Sequence, residues 1–233
     1  MTTMFLLFTI AVALCAAAIL IISLKGNARS LGLAGLLLWV AYSGGLGYLN
    51  GVAHVALPVP LLPILAGPTF TFALAVALSP AGRGLADRVP LWMLVGLQTF
   101  RLGLELFLYP LTRDGLIPEV ATFLGGNVDI LFGLTAPLIA LLAARRPSGN
   151  TIVLVWNILG ILSVLNASVR SALTAPGALH LIHSAVENRA MGMFPYTFIP
   201  AFLAPLALTL NILGLRNGLK GTTRQPVQIA ARS

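Results

Sequence analysis

Gln98, Arg101 and Glu105 stand at spacing i, i+3, i+7 inside GLQTFRLGLELFLYP, a stretch that is otherwise almost wholly apolar. On a helix that spacing gathers the three side chains on one face. A guanidinium and a carboxyl one turn apart can pair with each other, hold a ligand of either charge, or carry a proton or cation. The same spacing recurs at Ser163, Asn166 and Arg170 in TIVLVWNILGILSVLNASVRSAL. A third polar set, Asn127 and Asp129 in GGNVDILFGLTAP, opens another apolar run. An Asn there can cap exposed N–H groups and an acid is favoured by the helix dipole. Asp129 is also a candidate partner for Arg101 or Arg170. Gln98, Arg101, Glu105, Asn127, Asp129, Asn166 and Arg170 are the substrate- or ion-binding candidates.

Other groups give weaker chemistry. His180 and His183 are three residues apart and Glu187 follows four later, so a helix through them would present a face for zinc or another divalent metal. The H-E-x-x-H pattern is missing, and loop histidines usually belong to the surface. His54 lies between two apolar runs, and no predicted span carries a histidine, which argues against haem ligation. The only lysines, Lys25 and Lys220, fall outside the predicted spans, which excludes a retinal Schiff base. Cys15 is the only cysteine, so neither an internal disulfide nor a cysteine metal cluster is expected. No Ser/His/Asp or Cys/His set is recognisable.

The elements that must position these residues are membrane helices. Of 233 residues, 58% are hydrophobic and 9% charged, and the mean hydropathy is +0.96. A soluble chain is about 25% charged. A span needs about 20 apolar residues, and seven runs are read as spans, at roughly 4–24, 31–52, 61–79, 90–109, 127–144, 151–173 and 194–215. The first run has no basic residue before it and is longer than the core of a cleavable signal, and Leu14 is too bulky to precede a lipoprotein cysteine. It is read as an uncleaved helix.

The net charge of +8 does not point to nucleic acid, because the basic residues cluster between apolar runs. With the N-terminus outside, Lys25, Arg29, Arg83, Arg88, Arg145, Arg146, Arg216, Lys220, Arg224 and Arg232 are cytoplasmic, and only Arg113 and Arg189 lie in external loops. Ten against two sets the N-terminus outside and the C-terminus in the cytoplasm. The expected fold is thus an all-α polytopic bundle of about seven transmembrane helices. Residues 216–233 form a basic tail, disordered or lying on anionic headgroups. The loop at 174–193 is expected to contain a short amphipathic helix at the interface.

In this orientation Arg101 lies about 16 Å into the fourth span, counted from Pro90 at 1.5 Å per residue. An unpaired charge facing lipid at that depth costs roughly 2.5–3.5 kcal/mol on insertion scales. Gln98, Arg101 and Glu105 must therefore face the protein or a wet cavity. Pro195, Pro200 and Pro205 should kink the last span, as a hinge or as architecture. Gly44, Gly45, Gly47 and Gly51 give the second span a small face for helix contact, within the chain or in a homo-oligomer.

The blocks QTFRLGLELFL, IPEVATFLGGNVDILFGLTAP and NRAMGMFPYTFIPAFLAP together resemble a family of small bacterial multi-pass membrane proteins known only as hypothetical. The resemblance covers about residues 90–215 and implies a bacterial inner-membrane bundle, with no activity, substrate or cofactor attached. Three functions fit the residues. The first is binding or transport of a small solute or ion through an outward-facing polar cavity around Arg101 and Glu105. The second is a membrane-embedded enzyme acting on a lipid or isoprenoid. The third is an assembly or sensory subunit whose polar groups only fix packing.

Overall fold

A computed structural model describes residues 1–48, 61–145, 150–176 and 180–223. Every regular element in these residues is helical. In chain order they are α1 (Thr2–Ser23), α2 (Gly26–Tyr48), α3 (Leu61–Leu78), α4 (Pro80–Arg88), α5 (Leu91–Leu97), α6 (Phe100–Arg113), α7 (Asp129–Arg145), α8 (Thr151–Leu173) and α9 (Ala204–Thr223). Five stretches are long and apolar enough to cross a membrane: α1, α2, Leu91–Arg113, α8 and Ile199–Lys220. Helices also occupy the third and fifth expected spans, with 18 and 17 residues. His54 and Gly51 lie outside the described residues.

The last helix is the centre of the bundle. Of its most apolar window 83% is buried, against 22% in α1 and 11% in α2. It packs against α3, α4, α5 and α8, while α7 closes on α5, α6 and α8. The peripheral helices keep aliphatic side chains exposed, among them Leu7 and Leu14 on α1, Leu37 and Leu38 on α2, and Leu162 and Val169 on α8. Exposed apolar faces of this kind are compatible with contact to lipid.

Two aromatic groups join the outer helices to the centre. Phe5 of α1 meets Phe107 of α6 edge-on at 5.5 Å and Tyr196 at 5.3 Å. Trp39 of α2 stands edge-on to Phe72 of α3 and to Phe202, both at 5.5 Å. Such ring pairs add to the area they bury.

The prolines of the last span act locally. A turn at 194–197 precedes a π-helical segment, Ile199–Leu203, in which the Ala204 N–H reaches back to the Ile199 carbonyl. Pro205 has no N–H to offer the carbonyl of Ala201, one turn earlier. That carbonyl accepts instead from Trp39 Nε1 at 2.8 Å and Ser43 Oγ at 3.0 Å. The kink is thus stabilised by α2.

Between α8 and α9 the contact is a reciprocal fit of asparagine onto glycine. A Cβ on Gly160 would meet Asn211 Oδ1 at 2.5 Å, and one on Gly214 would meet Asn157 Oδ1 at 2.5 Å. Asn157 donates to the Val153 carbonyl of its own helix, and Asn211 to that of Ala207. Small residues here let two backbones approach while the amides stay bonded.

Two expectations are corrected. Residues 180–189 hold no helix; they run irregularly, with the Ile182 N–H on the Leu173 carbonyl and the Asn188 N–H on that of Thr174. These bonds tie the loop to the end of α8 and displace an amphipathic helix. The tail expected from Arg216 onward is helical as far as Thr223. Its side chains are docked: Arg216 on the carbonyls of Ala77 and Ser79, Asn217 on those of Ala86 and Val89, and Lys220 on Asp87. The short helix α4, capped by the Ser79 hydroxyl and opened by Pro80, supplies this docking surface.

Candidate functional site

Arg101 is fully buried, and its position follows from a break in the fourth span. Between α5 and α6 the backbone tightens, with the N–H groups of Gln98, Thr99, Arg101 and Leu102 each bonding three residues back. A turn of this kind inside a helix often marks a hinge or functional site. It sends Gln98 to α9, where Nε2 donates to the Ala207 carbonyl at 3.1 Å. Arg101 points to α7.

Asp129 meets it there. Arg101 Nε donates to Asp129 Oδ2 at 2.8 Å, and Nη2 pairs with Oδ1 of the same carboxylate. The fork-to-fork geometry is the strongest form of this pair. It depends on glycine: a Cβ on Gly133, one turn after Asp129, would overlap the backbone of Leu102. The bare backbone lets α7 press against α6 and brings the carboxylate within reach. Phe132 lies beneath the guanidinium, its ring centre 4.7 Å from Cζ. Ser163 Oγ of α8 donates to Asp129 Oδ1 at 2.7 Å.

Glu105 belongs to a second bonded set one turn along α6. Asn127 Nδ2 donates to Glu105 Oε1 at 2.7 Å, and the Phe123 N–H to Oε2 at 3.3 Å. The Asn127 side-chain oxygen accepts the Asp129 N–H at 3.0 Å and so caps α7. Asn127 links the two carboxylates. The segment that carries it folds back over α6 through two short 3-10 turns, Glu119–Ala121 and Phe123–Gly125. Thr122 is fully buried in this cover, and Gly126 closes it at φ +94°. Arg101 and Glu105 therefore do not pair with each other, because Asp129 and Asn127 approach across helices with better geometry than the next turn offers.

These groups border a cavity of about 70 Å³ between α3, α6, α8 and the π segment. Phe70, Leu104, Val164, Met191 and Leu203 make much of its wall apolar. Arg101, Glu105, Asn127, Asp129, Ser168 and Ser171 supply its polar groups. Two of these remain incomplete: Arg101 Nη1 and Ser168 Oγ are buried without a hydrogen-bond partner. A buried donor left in that state costs about 1–3 kcal/mol.

The candidates thus divide. Arg101, Glu105, Asn127 and Asp129 come together at the cavity. Gln98 is one turn away, shares the Ala207 carbonyl with Asn211, and belongs to the α8–α9 seam. Asn166 is exposed on the far side of α8. Arg170 lies at the C-terminal end of that helix against Gly126, its Nη1 3.1 Å from where a Cβ would stand. Nor do His180, His183 and Glu187 form a metal face. His180 Nδ1 contacts the Ala175 carbonyl and Glu187 pairs with Arg189, and no metal-binding group of three occurs among the described residues.

Ser168, Ser171 and Phe132 are site residues that polarity alone did not rank. Their signal was the run of small residues at 160, 163, 167, 168 and 171, which marks the buried side of α8.

Compared with known proteins, the chain matches the model of a domain of unknown function, DUF8737, over residues 58–217, well over half its length. No curated protein and no solved structure matches it. The match takes in every residue of the cavity and leaves out α1 and α2.

Proposed function

We propose that this chain, which belongs to the DUF8737 family, is a seven-span membrane protein that binds a small ligand in the Arg101 cavity and transports it. Its N-terminus faces out and its C-terminus the cytoplasm, following the bias of basic residues. The bacterial inner membrane is the setting, as the resemblance of its sequence blocks implies.

One observation carries the reading: a buried arginine at the cavity keeps an N–H group that no protein atom satisfies. Asn211 Oδ1 in the closed seam is also unpartnered, but it is sealed against Gly160, whereas Arg101 Nη1 has open space beside it for a partner. Transport is favoured by the backbone on both sides of the cavity. The tightened turn at Gln98–Thr99 leads into Phe100 and Arg101, and the π segment contributes Ile199, Pro200 and Leu203 to the wall. Two irregular stretches facing one ligand space give helices that can shift about it.

The enzyme reading has less support. A general base needs a free carboxylate within reach of substrate. Asp129 is engaged by Arg101 and Ser163, and Glu105 by Asn127 and Phe123.

The test is native mass spectrometry of the full chain released from lipid nanodiscs. A bound small molecule is expected on the wild type and is expected to be lost from Arg101→Met/Asp129→Leu, in which both charges are removed together. A wild-type chain with no adduct, or an adduct kept by the double variant, would sink the proposal.

A further inference from the structure

The cavity also constrains the chemistry of its ligand. We infer that it takes an amphiphile with an uncharged oxygen head, a long-chain or isoprenoid alcohol, rather than an anion. The inference rests on the cavity being a ligand site, and it deepens that reading.

A buried arginine ordinarily suggests a phosphate or carboxylate ligand. Here both forks of a bidentate pair are already used, by Nε and Nη2 on the two oxygens of Asp129. The positive charge has its counter-charge within the protein. Glu105 brings a second carboxyl to the same wall. An anion entering to meet Nη1 would find an arginine that Asp129 already neutralises, in a setting where screening is weak. What Arg101 offers is one hydrogen bond, and not a free charge.

The other incomplete group completes the argument. Ser168 Oγ borders the same cavity, is buried without a partner, and can both donate and accept. A hydroxyl oxygen can accept from Arg101 Nη1 while its proton goes to Ser168 Oγ. A carboxylate or phosphate could accept from both groups as well, so what sets the alcohol apart is that it brings no uncompensated charge to an arginine already paired with Asp129.

The remaining wall suits the rest of such a molecule. Phe70 of α3, Leu104 and Leu108 of α6, Val164 of α8, and Met191 and Leu203 are all apolar. α3 and α8 both pack on α9, and residues of both line the cavity.

The experiment uses the full chain in nanodiscs and three photoreactive probes that share one diazirine-bearing isoprenoid chain and end in a hydroxyl, a carboxylate or a phosphate. The alcohol probe is expected to label peptides carrying Phe70, Leu104 or Leu203 about tenfold more than either anion. That labelling is expected to fall about tenfold in Arg101→Met/Asp129→Leu, the loss of one hydrogen bond to a charged donor. Ser168→Ala, which leaves the ion pair intact, is expected to lower it several-fold.

Stronger labelling by the phosphate or carboxylate probe would overturn the ligand class and leave the site standing. Equal labelling by all three, unchanged in Ser168→Ala, would mean the head group is not read, and would also overturn it. Labelling absent from the cavity peptides with every probe, together with no native adduct, would remove the site reading as well.

Discussion

Arg101 and Asn211 are both fully buried polar side chains in the interior of the bundle, a few turns apart, yet their surroundings differ. Around Asn211 the helices are closed. Its amide sits against Gly160, Asn157 sits against Gly214, and Gln98 and Asn211 share the Ala207 carbonyl. Around Arg101 the polar groups are bonded just as well on one side, by Asp129, Ser163 and Asn127, but the other side is a cavity. In the first region polar atoms draw helices together. In the second they hold helices apart at a fixed distance. Burial and polarity alone do not make a site inside a membrane; space beside an incomplete group does.

That contrast can be broken in four ways. Removing the anion should have the largest effect. Asp129→Leu leaves Arg101 charged and buried, and should cost about 3–5 kcal/mol of unfolding free energy in detergent, most of it recovered when Arg101→Met is added. A loss below about 1 kcal/mol would show that the pair is not the anchor of the outer region.

Filling the closed seam comes next. Gly160→Leu should cost about 1–3 kcal/mol by overpacking against Asn211, while the native adduct per folded molecule is retained. If the adduct disappears at unchanged stability, seam and cavity are one unit and the division drawn here is wrong. Ser168→Ala should leave stability within about 0.5 kcal/mol, since it removes only a group with no protein partner, yet weaken ligand retention. A stability loss above about 1 kcal/mol would instead give Ser168 a packing role. The smallest effect belongs to Asn166→Leu, on the exposed side of α8, which should change neither stability nor ligand retention. A clear drop in retention would return Asn166 to the site.

Much of this was legible in the sequence. The apolar runs located helices within a few residues, and the spacing of Gln98, Arg101 and Glu105 required an inward face, because the cost of a lipid-facing charge allows nothing else. The choice of partner was hidden. Asp129 and Glu105 were both candidates for Arg101, and the outcome rests on Gly133 letting α7 touch the backbone of α6, a cross-helix distance that no spacing within one segment encodes. On α8 the polar residues misled. Asn166 lies roughly 60° round the helix from Ser163, on the side away from Ala167 and Ser171, so it turned outward while less conspicuous small residues turned in. The helical extension to Thr223 was masked by its basic residues, which look solvated until the carbonyls at the ends of α3 and α4 appear opposite them.

The carbonyl of Ala201, released by Pro205 and taken up by Trp39 and Ser43, has a meaning beyond the kink. It is a socket made of main chain, and main chain is the same whatever side chain it carries. The plug from α2 consequently reads the shape of the π segment and not its residues. Substitutions at Ala201 that fit the space would leave the joint intact, whereas losing Pro205 would return the carbonyl to its own helix and loosen the first two helices. Those helices lie outside the stretch that defines the family, so they are fastened to the rest of the bundle by a bond that tolerates drift on one side and depends on a single proline on the other.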